Sequence, residues 1–383
     1  MKNKNQMREV VVAGVALTKF DIYPDREIHQ IGSEAIFGVL KDAEMAFPEI
    51  EAAFCGSVYQ GTGSGHQALR EVGLTGIPIV NVENACSSGA SAFRLAYQMI
   101  GGGIYDVVLV LGMEMLPKGP IPSTAFRPWE LASGFNVQMA NYANQTQAYM
   151  AATGATVEDF SLITVKNRNN GILNPNARFR KSVTVEEVMN SRMVATPLRL
   201  FHCCPLADGA GAMILCAKDK VKSKSRAITV AASTLTSAVY GEGMMGDGSL
   251  KFPPEKGIVE LSAHQAYEES GYGPEDMDVV QAYDTMAPSE LWEMEKLGFC
   301  AKGESRKLLR DGYFDLTGKV PLNTDGGLMS RGHPLGATGI AQIAEIVTQL
   351  RGEAGKRQVE NAKIGMTHVM GAGPNSSVTV LKK

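Results

Sequence analysis

This chain has little charge imbalance, few aromatics and no long apolar run, and each shortage removes a class of protein. Its 383 residues carry 37 Lys and Arg against 40 Asp and Glu, a formal charge of −3 that offers nucleic acid no basic footprint. No stretch approaches the roughly 18 apolar residues a membrane span needs. Met1 to Arg8 is polar, without the apolar core of a secretory leader. There is no Gly-x-x-x-x-Gly-Lys phosphate loop and no dinucleotide fingerprint opening a helix after a strand, so ATP and NAD chemistry lack support. Cys55, Cys86, Cys203, Cys204, Cys216 and Cys300 show neither disulfide-framework spacing nor a Cys-x-x-Cys pair, which fits a reducing cytoplasm. His202 adjoins Cys203 and Cys204, but a tetrahedral zinc site needs further ligands at suitable spacing. None stands nearby, so buried structure is expected there and no metal.

What is present points to an α/β protein. The chain is 44% hydrophobic with 41 glycines and only 7% aromatics, a composition suited to helices packed closely on sheets and long enough for two domains. Two stretches look like copies of one unit, Cys86-Ser87-Ser88-Gly89-Ala90-Ser91 and His333-Pro334-Leu335-Gly336-Ala337-Thr338. The separation that carries Gly89 to Gly336 also carries Cys86 to His333. Each is followed by apolar residues at helical spacing, Leu95, Ala96 and Met99 in one and Ile340, Ile343 and Val347 in the other. Arg8 to Ala13 parallels Arg226 to Ala231, Pro48-Glu49 parallels Pro274-Glu275, and the strand Asp106 to Gly112 parallels Ala362 to Gly371. The expected halves are 1–222 and 223–383.

An insertion over about 117–200 interrupts the first half. Pro117, Pro120, Pro122 and Pro128 punctuate its start, and helices are predicted around Val137 to Tyr149 and Val157 to Asn169. Such excursions often cover a ligand. Residues 151–200 hold seven basic side chains against four acidic ones, and Arg178 and Arg180 among them suit a polyanionic ligand such as a nucleotide phosphate. Met113 and Trp129, with Met115, Phe126, Phe135, Met139, Tyr142 and Tyr149, offer an apolar wall for an aromatic or branched group; ordinary lid packing explains them equally well.

Cys86 stands just before a helix, where backbone N–H groups favour a thiolate, and His333 holds the equivalent place in the other half. A thiol nucleophile suits thioester exchange. The residues Asn84-Ala85-Cys86-Ser87-Ser88-Gly89, Gly332-His333-Pro334-Leu335-Gly336-Ala337-Thr338-Gly339, Cys203-Cys204-Pro205 and Asp208-Gly209-Ala210 resemble the thiolase superfamily, and within it the sterol-carrier-protein or lipid-transfer-protein branch. The resemblance runs nearly end to end. It implies a five-layered αβαβα fold, a homodimer, and CoA thioesters as substrates with no permanently bound cofactor. It also implies an acylated Cys86 with His333 activating it, backbone donors near Gly371 and Gly373 for the thioester oxygen, and a small zinc-ribbon and OB-fold partner subunit.

The branch's His-Asp-Cys-Phe motif, whose cysteine handles the proton of the carbon–carbon bond step, here reads Tyr283-Asp284-Thr285-Met286. The alternative C-terminal Cys-x-Gly position reads Thr367-His368-Val369-Met370-Gly371. The proton then falls to His368 or Tyr283, and His368 is preferred because imidazole titrates near neutral pH. Asp284 is expected to orient loops beside the substrate. The leading expectation is a 3-oxoacyl-CoA thiolase working through acyl-Cys86, with 2-benzoylsuccinyl-CoA as one aromatic candidate. The alternatives are a retro-aldolase that uses Tyr283 on a β-hydroxyacyl-CoA, and a scaffolding subunit of a larger complex.

Overall fold

The computed structural model describes residues 7–117, 126, 128–134, 136–239 and 257–383. The first half runs β1 (Val10–Leu17), α1 (Ile28–Asp42), β2 (Ala52–Gly56), α2 (Ser64–Val72), β3 (Ile79–Val82), α3 (Ser88–Gly101) and β4 (Val107–Glu114). The insertion supplies α4 (Pro128–Ala132), α5 (Gln138–Thr153), α6 (Val157–Ile172), α7 (Val185–Asn190) and the hairpin of β5 (Met193–Ala195) with β6 (Leu198–Arg199). After β7 (Gly209–Ala217) come β8 (Ile228–Ser237), α8 (Ile258–Ser270), β9 (Val279–Gln281), α9 (Ala287–Lys296), α10 (Ser305–Arg310) and α11 (Gly327–Arg331). The chain ends on α12 (Leu335–Arg351), β10 (Ile364–Gly371) and β11 (Asn375–Lys382). Both predicted insertion helices form, as α5 and α6. Thr156 starts α6 with a capping box, its hydroxyl accepting from Asp159 N–H while the Asp159 carboxylate accepts from Thr156 N–H. Phe135 and much of the proline-punctuated stretch lie outside the described residues.

The large sheet has the order β3-β2-β4-β7-β1-β8-β11-β10-β9. Outward from β1, the neighbours β7 and β4 join antiparallel, and β2 and β3 add in parallel. Outward from β8, β11 and β10 join antiparallel, and β9 adds in parallel. Leu322 then bridges Val280 in parallel, where β3 stands in the first half. The same pairing sequence occurs twice, as the repeated motifs predict.

Only two residue pairs join β1 to β8, Val11 with Thr229 and Val12 with Ile228, so the sheet turns at this seam and encloses α3 and α12. Strand alternation then sorts the core. On β4, Val108 and Val110 face α3 and α12, while Leu109 and Leu111 face α1 and α2. On the far side α8 and α9 cover Ala232, Val280, Met366, Val378 and Val380. The result is five layers, αβαβα, with a continuous sheet supplying both β layers. Strands buried on both faces explain the unbroken apolar run Val107 to Leu111. Among the described residues no helix is long and apolar enough to cross a membrane.

The central helices meet backbone to backbone. A Cβ on Gly89 would stand 2.5 Å from the Gly336 carbonyl oxygen, and one on Gly336 would stand 2.5 Å from the Met113 oxygen and 2.7 Å from the Gly56 oxygen. Neither helix can retreat, because each is held between two sheet layers. Gly336→Ala is therefore expected to destabilise the protein by about 2–3 kcal/mol, the upper range for overpacking, as read from the urea midpoint. An unchanged midpoint would show that the contact is looser than described.

Candidate active site

The Cys86 turn is built by its own polar side chains. Ala85 takes a left-handed conformation (φ 47°), uncommon for a residue with a Cβ, and lifts Cys86 out of the line between β3 and α3. The Asn84 N–H donates to Ser88 Oγ at 2.9 Å, Ser88 Oγ donates to the Ala85 oxygen at 2.6 Å, and Asn84 Nδ2 donates to Ser91 Oγ at 2.8 Å. The β10–β11 turn braces this loop from the other half. Asn375 bonds Ser87 Oγ and reaches the Asn84 oxygen at 3.4 Å. Gly371 stands against that oxygen, whereas Gly373, with φ +97°, faces open space.

His333 enters from the opposite side, its N–H bonded to the Pro205 oxygen at 3.2 Å. Thr338, one turn into α12, donates its hydroxyl to the Pro334 oxygen at 2.9 Å, so its oxygen accepts from His333 Nδ1 at 2.7 Å. That leaves Nε2 as an acceptor, and the Tyr283 hydroxyl stands 3.4 Å from it, the two rings edge to face at 5.7 Å. The same tyrosine packs against Cys86, where its hydroxyl favours the thiolate. Tyr283 thus lies between sulfur and imidazole, in a cluster closed by Ala90, Leu328, Val369, Cys204 and Met370.

Burial sets the resting charges. It pushes the Cys86 thiol up to about 11, outweighing the Tyr283 hydroxyl. It pulls His333 down to about 3, with Arg331 adding to the effect, and raises the Tyr283 phenol well above its ordinary value. The thiolate expected from the helix terminus is therefore not the resting form; desolvation wins over the dipole. The site rests as neutral thiol, phenol and imidazole. Glu114, buried at the end of β4, accepts from the Val58, Tyr59 and Gly336 N–H groups and adds negative potential near the sulfur.

The other residues singled out in the sequence separate sharply. His368 is turned away from the site: Nε2 lies 3.2 Å from Ser376 Oγ and Nδ1 3.6 Å from Glu293. Its neighbour Val369 faces Cys86, and the period of two along β10 sends His368 to the opposite face, which overturns the preference for it over Tyr283. Met113 is fully buried on the α1 and α2 side of β4, away from Glu114, and does not line the site. Trp129 is 58% exposed on α4, outside the cluster around Cys86. Asp284 is sealed from solvent and accepts from the Leu328 and Met329 N–H groups and Asn167 Nδ2, so it holds α11 against α6 and touches no substrate space. Arg180 is exposed and bonded to the Ile172 oxygen, and Arg178 lies over the Phe179 ring. His202 is buried and bonded to Ser161 and the Arg199 N–H.

Sequence reasoning did not assign Thr338 or Cys204 to the site and named Tyr142 only as part of an apolar wall. Thr338 carried a signal, since it lies one turn beyond His333 in the same motif. Tyr142, whose hydroxyl accepts from Thr285 and whose phenol is pushed up by burial with Cys86 adding to the effect, comes from α5 and had none beyond its aromatic type. Cys204 was set aside as structure, yet it packs in the Cys86 cluster.

Below a thiol's pKa the thiolate fraction rises tenfold per pH unit. Cys86 alkylation by iodoacetamide, followed by peptide mass mapping, should therefore climb about tenfold per unit from roughly pH 8 to pH 10. A plateau near pH 9 would mean that the helix terminus, and not burial, governs the sulfur.

Comparison with known proteins identifies the family. Residues 10–219 match the family model described as thiolase, N-terminal domain, and residues 256–383 match the thiolase C-terminal domain-like model. The benzoylsuccinyl-CoA thiolase subunit BbsB of Thauera aromatica is 40% identical over 96% of this chain and 95% of its own length. An acetyl-CoA acetyltransferase of Methanothermobacter thermautotrophicus is 36% identical over 98% of this chain and 100% of its own. Among solved structures, an Ltp2–ChsH2(DUF35) aldolase superposes with a TM-score of 0.88 at 26% identity, covering 98% of both chains. Human mitochondrial 3-ketoacyl-CoA thiolase shares the fold with a TM-score of 0.72 over 99% of both chains at 18% identity. The chain belongs to the thiolase family and is an acyltransferase.

Proposed function

We propose that the enzyme cleaves a 3-oxoacyl-CoA with CoA, or runs the reverse condensation, through an acyl-Cys86 intermediate. The observation that carries this reading is the Tyr283 hydroxyl between the Cys86 thiol and His333 Nε2, with Thr338 holding the imidazole tautomer. As sulfur attacks the 3-carbonyl carbon, its proton passes to the Tyr283 oxygen and the Tyr283 proton to Nε2. Collapse breaks the C2–C3 bond, leaving acyl-Cys86 and an enolate of the shortened CoA ester. The imidazolium returns its proton through Tyr283 to C2. CoA thiol then attacks acyl-Cys86, its proton taking the place of the one Cys86 lost. The products are two CoA thioesters, and nothing but CoA enters as co-substrate. Backbone N–H groups beside Gly373 and the Cys86 turn serve the developing oxyanion.

An aromatic substrate such as 2-benzoylsuccinyl-CoA, giving benzoyl-CoA and succinyl-CoA, is supported by the likeness to BbsB. That relative is named as a subunit, and the aldolase neighbour pairs with a DUF35 chain, which supports a partner subunit here beside a homodimer of chains with halves 1–222 and 223–383. A cytoplasmic site of action fits free cysteines and no spanning helix among the described residues. The second reading, retro-aldol cleavage with Tyr283 as the acid/base, is favoured by Tyr283 itself and by the aldolase neighbour.

Mass mapping after incubation with acetyl-CoA should find an acetyl adduct on Cys86, absent in Cys86→Ala; activity surviving in Cys86→Ala would refute the thiolase mechanism. Tyr283→Phe removes the proton bridge and is expected to lower kcat about a hundredfold or more with little change in KM. Free aldehyde or ketone among the products would favour the aldolase, and two thioesters the thiolase.

A further inference from the structure

Among the described residues, Arg168 is a buried cation without an anion. On α6 it is 7% exposed, and its Nε has no hydrogen-bond partner. Burial alone pulls its pKa down to about 10, whereas a carboxylate beside it would push the other way. Its guanidinium lies 4.0 Å from the centre of the Phe179 ring and 5.8 Å from that of Phe201. Arg178 brings a second guanidinium to 5.3 Å from the same Phe179 ring. Buried guanidinium groups ordinarily pair with carboxylate or phosphate, and two of them sharing one aromatic ring create a strongly positive, water-poor spot.

The segments that carry this arginine and its two rings adjoin residues next to the Cys86 cluster. Phe179 is bonded through its backbone to Ser330, two residues beyond Leu328 of that cluster. Phe201, whose oxygen is bonded by Thr164, precedes Cys204 of the cluster by three residues. Asn167, beside Arg168, bonds Asp284, the neighbour of Tyr283.

We propose that Arg168 receives a free carboxylate carried by the acyl group of the CoA thioester, so that the preferred substrates are acidic 3-oxoacyl-CoAs. The proposal rests on the acyl-CoA reading above and narrows its substrate class. A carboxylate matches one planar guanidinium bidentately, edge to edge, while the Phe179 and Phe201 rings stay on the guanidinium. The phosphates of CoA are bulkier and more strongly hydrated, and the exposed Arg180 and Lys181 suit them better. A succinyl group is acidic in this sense, and a butyryl group is its uncharged counterpart of equal length.

The test is calorimetric binding of succinyl-CoA, butyryl-CoA and free CoA to the full chain in a Cys86→Ala background, which prevents acyl transfer. The parent should bind succinyl-CoA about tenfold or more tighter than butyryl-CoA. Arg168→Met should erase that preference and leave CoA affinity unchanged, while Arg168→Lys keeps part of it. A parent that does not distinguish the two thioesters overturns the proposal, and this comparison needs no folded Arg168 variant. Equal weakening of all three ligands by Arg168→Met also overturns it, since Arg168 would then act on the CoA moiety. Failure here leaves the acetyl adduct on Cys86 intact, whereas failure of the acyl-enzyme reading removes the adduct.

Discussion

The contact between the N-terminal turns of α3 and α12 is the constraint on which the rest of the structure depends. Gly89 and Gly336 let two backbones meet at a distance that any side chain would prevent. Because Cys86 lies two residues before α3 and His333 two residues before α12, this approach also fixes the gap between them. Two symmetric helix starts would otherwise leave their functional groups separated by a layer of side chains. Duplication alone makes two similar turns; the glycines turn them into one site.

Into the gap comes Tyr283, on a loop that three other segments hold in place. Asp284 ties the start of α11 to Asn167 of α6, and Lys166 pairs with Glu290 while bonding the Leu322 oxygen. These groups are buried and largely satisfied within one network that joins the insertion to the second half. Loss of one member would strand a charge in a low-dielectric interior, which is why such networks hold a geometry better than they add stability. The insertion is thus a support for the tyrosine loop as well as a cover.

Desolvation gives the site its resting state. Sulfur, phenol and imidazole are all neutral, because burial penalises each charged form more than the neighbours reward it. In the proposed mechanism proton movement is coupled to nucleophilic attack, with no standing thiolate exposed to oxidation or stray electrophiles. Glu114 reinforces this by placing negative potential near Cys86 while its hydrogen bonds brace the start of α12.

Much of this was legible in the residues alone. The matched Cys86 and His333 motifs, the twofold order of elements and the two insertion helices needed only spacing and composition, since local periodicity reports which face a residue turns to the core. What spacing does not report is which of two candidate side chains reaches a third across the molecule. Chemistry alone favoured His368 over Tyr283, and the pleat of β10 reversed that order by turning His368 toward Glu293. The same holds for Met113, Tyr142, Cys204 and Arg168, whose roles depend on strand faces and on elements far apart in the chain. The sequence by itself determined the repeat, the fold and the matched placement of Cys86 and His333. Tertiary packing alone decided burial and which of Tyr283 and His368 stands beside Cys86 and His333, because desolvation and distance belong to the folded interior and not to any local pattern.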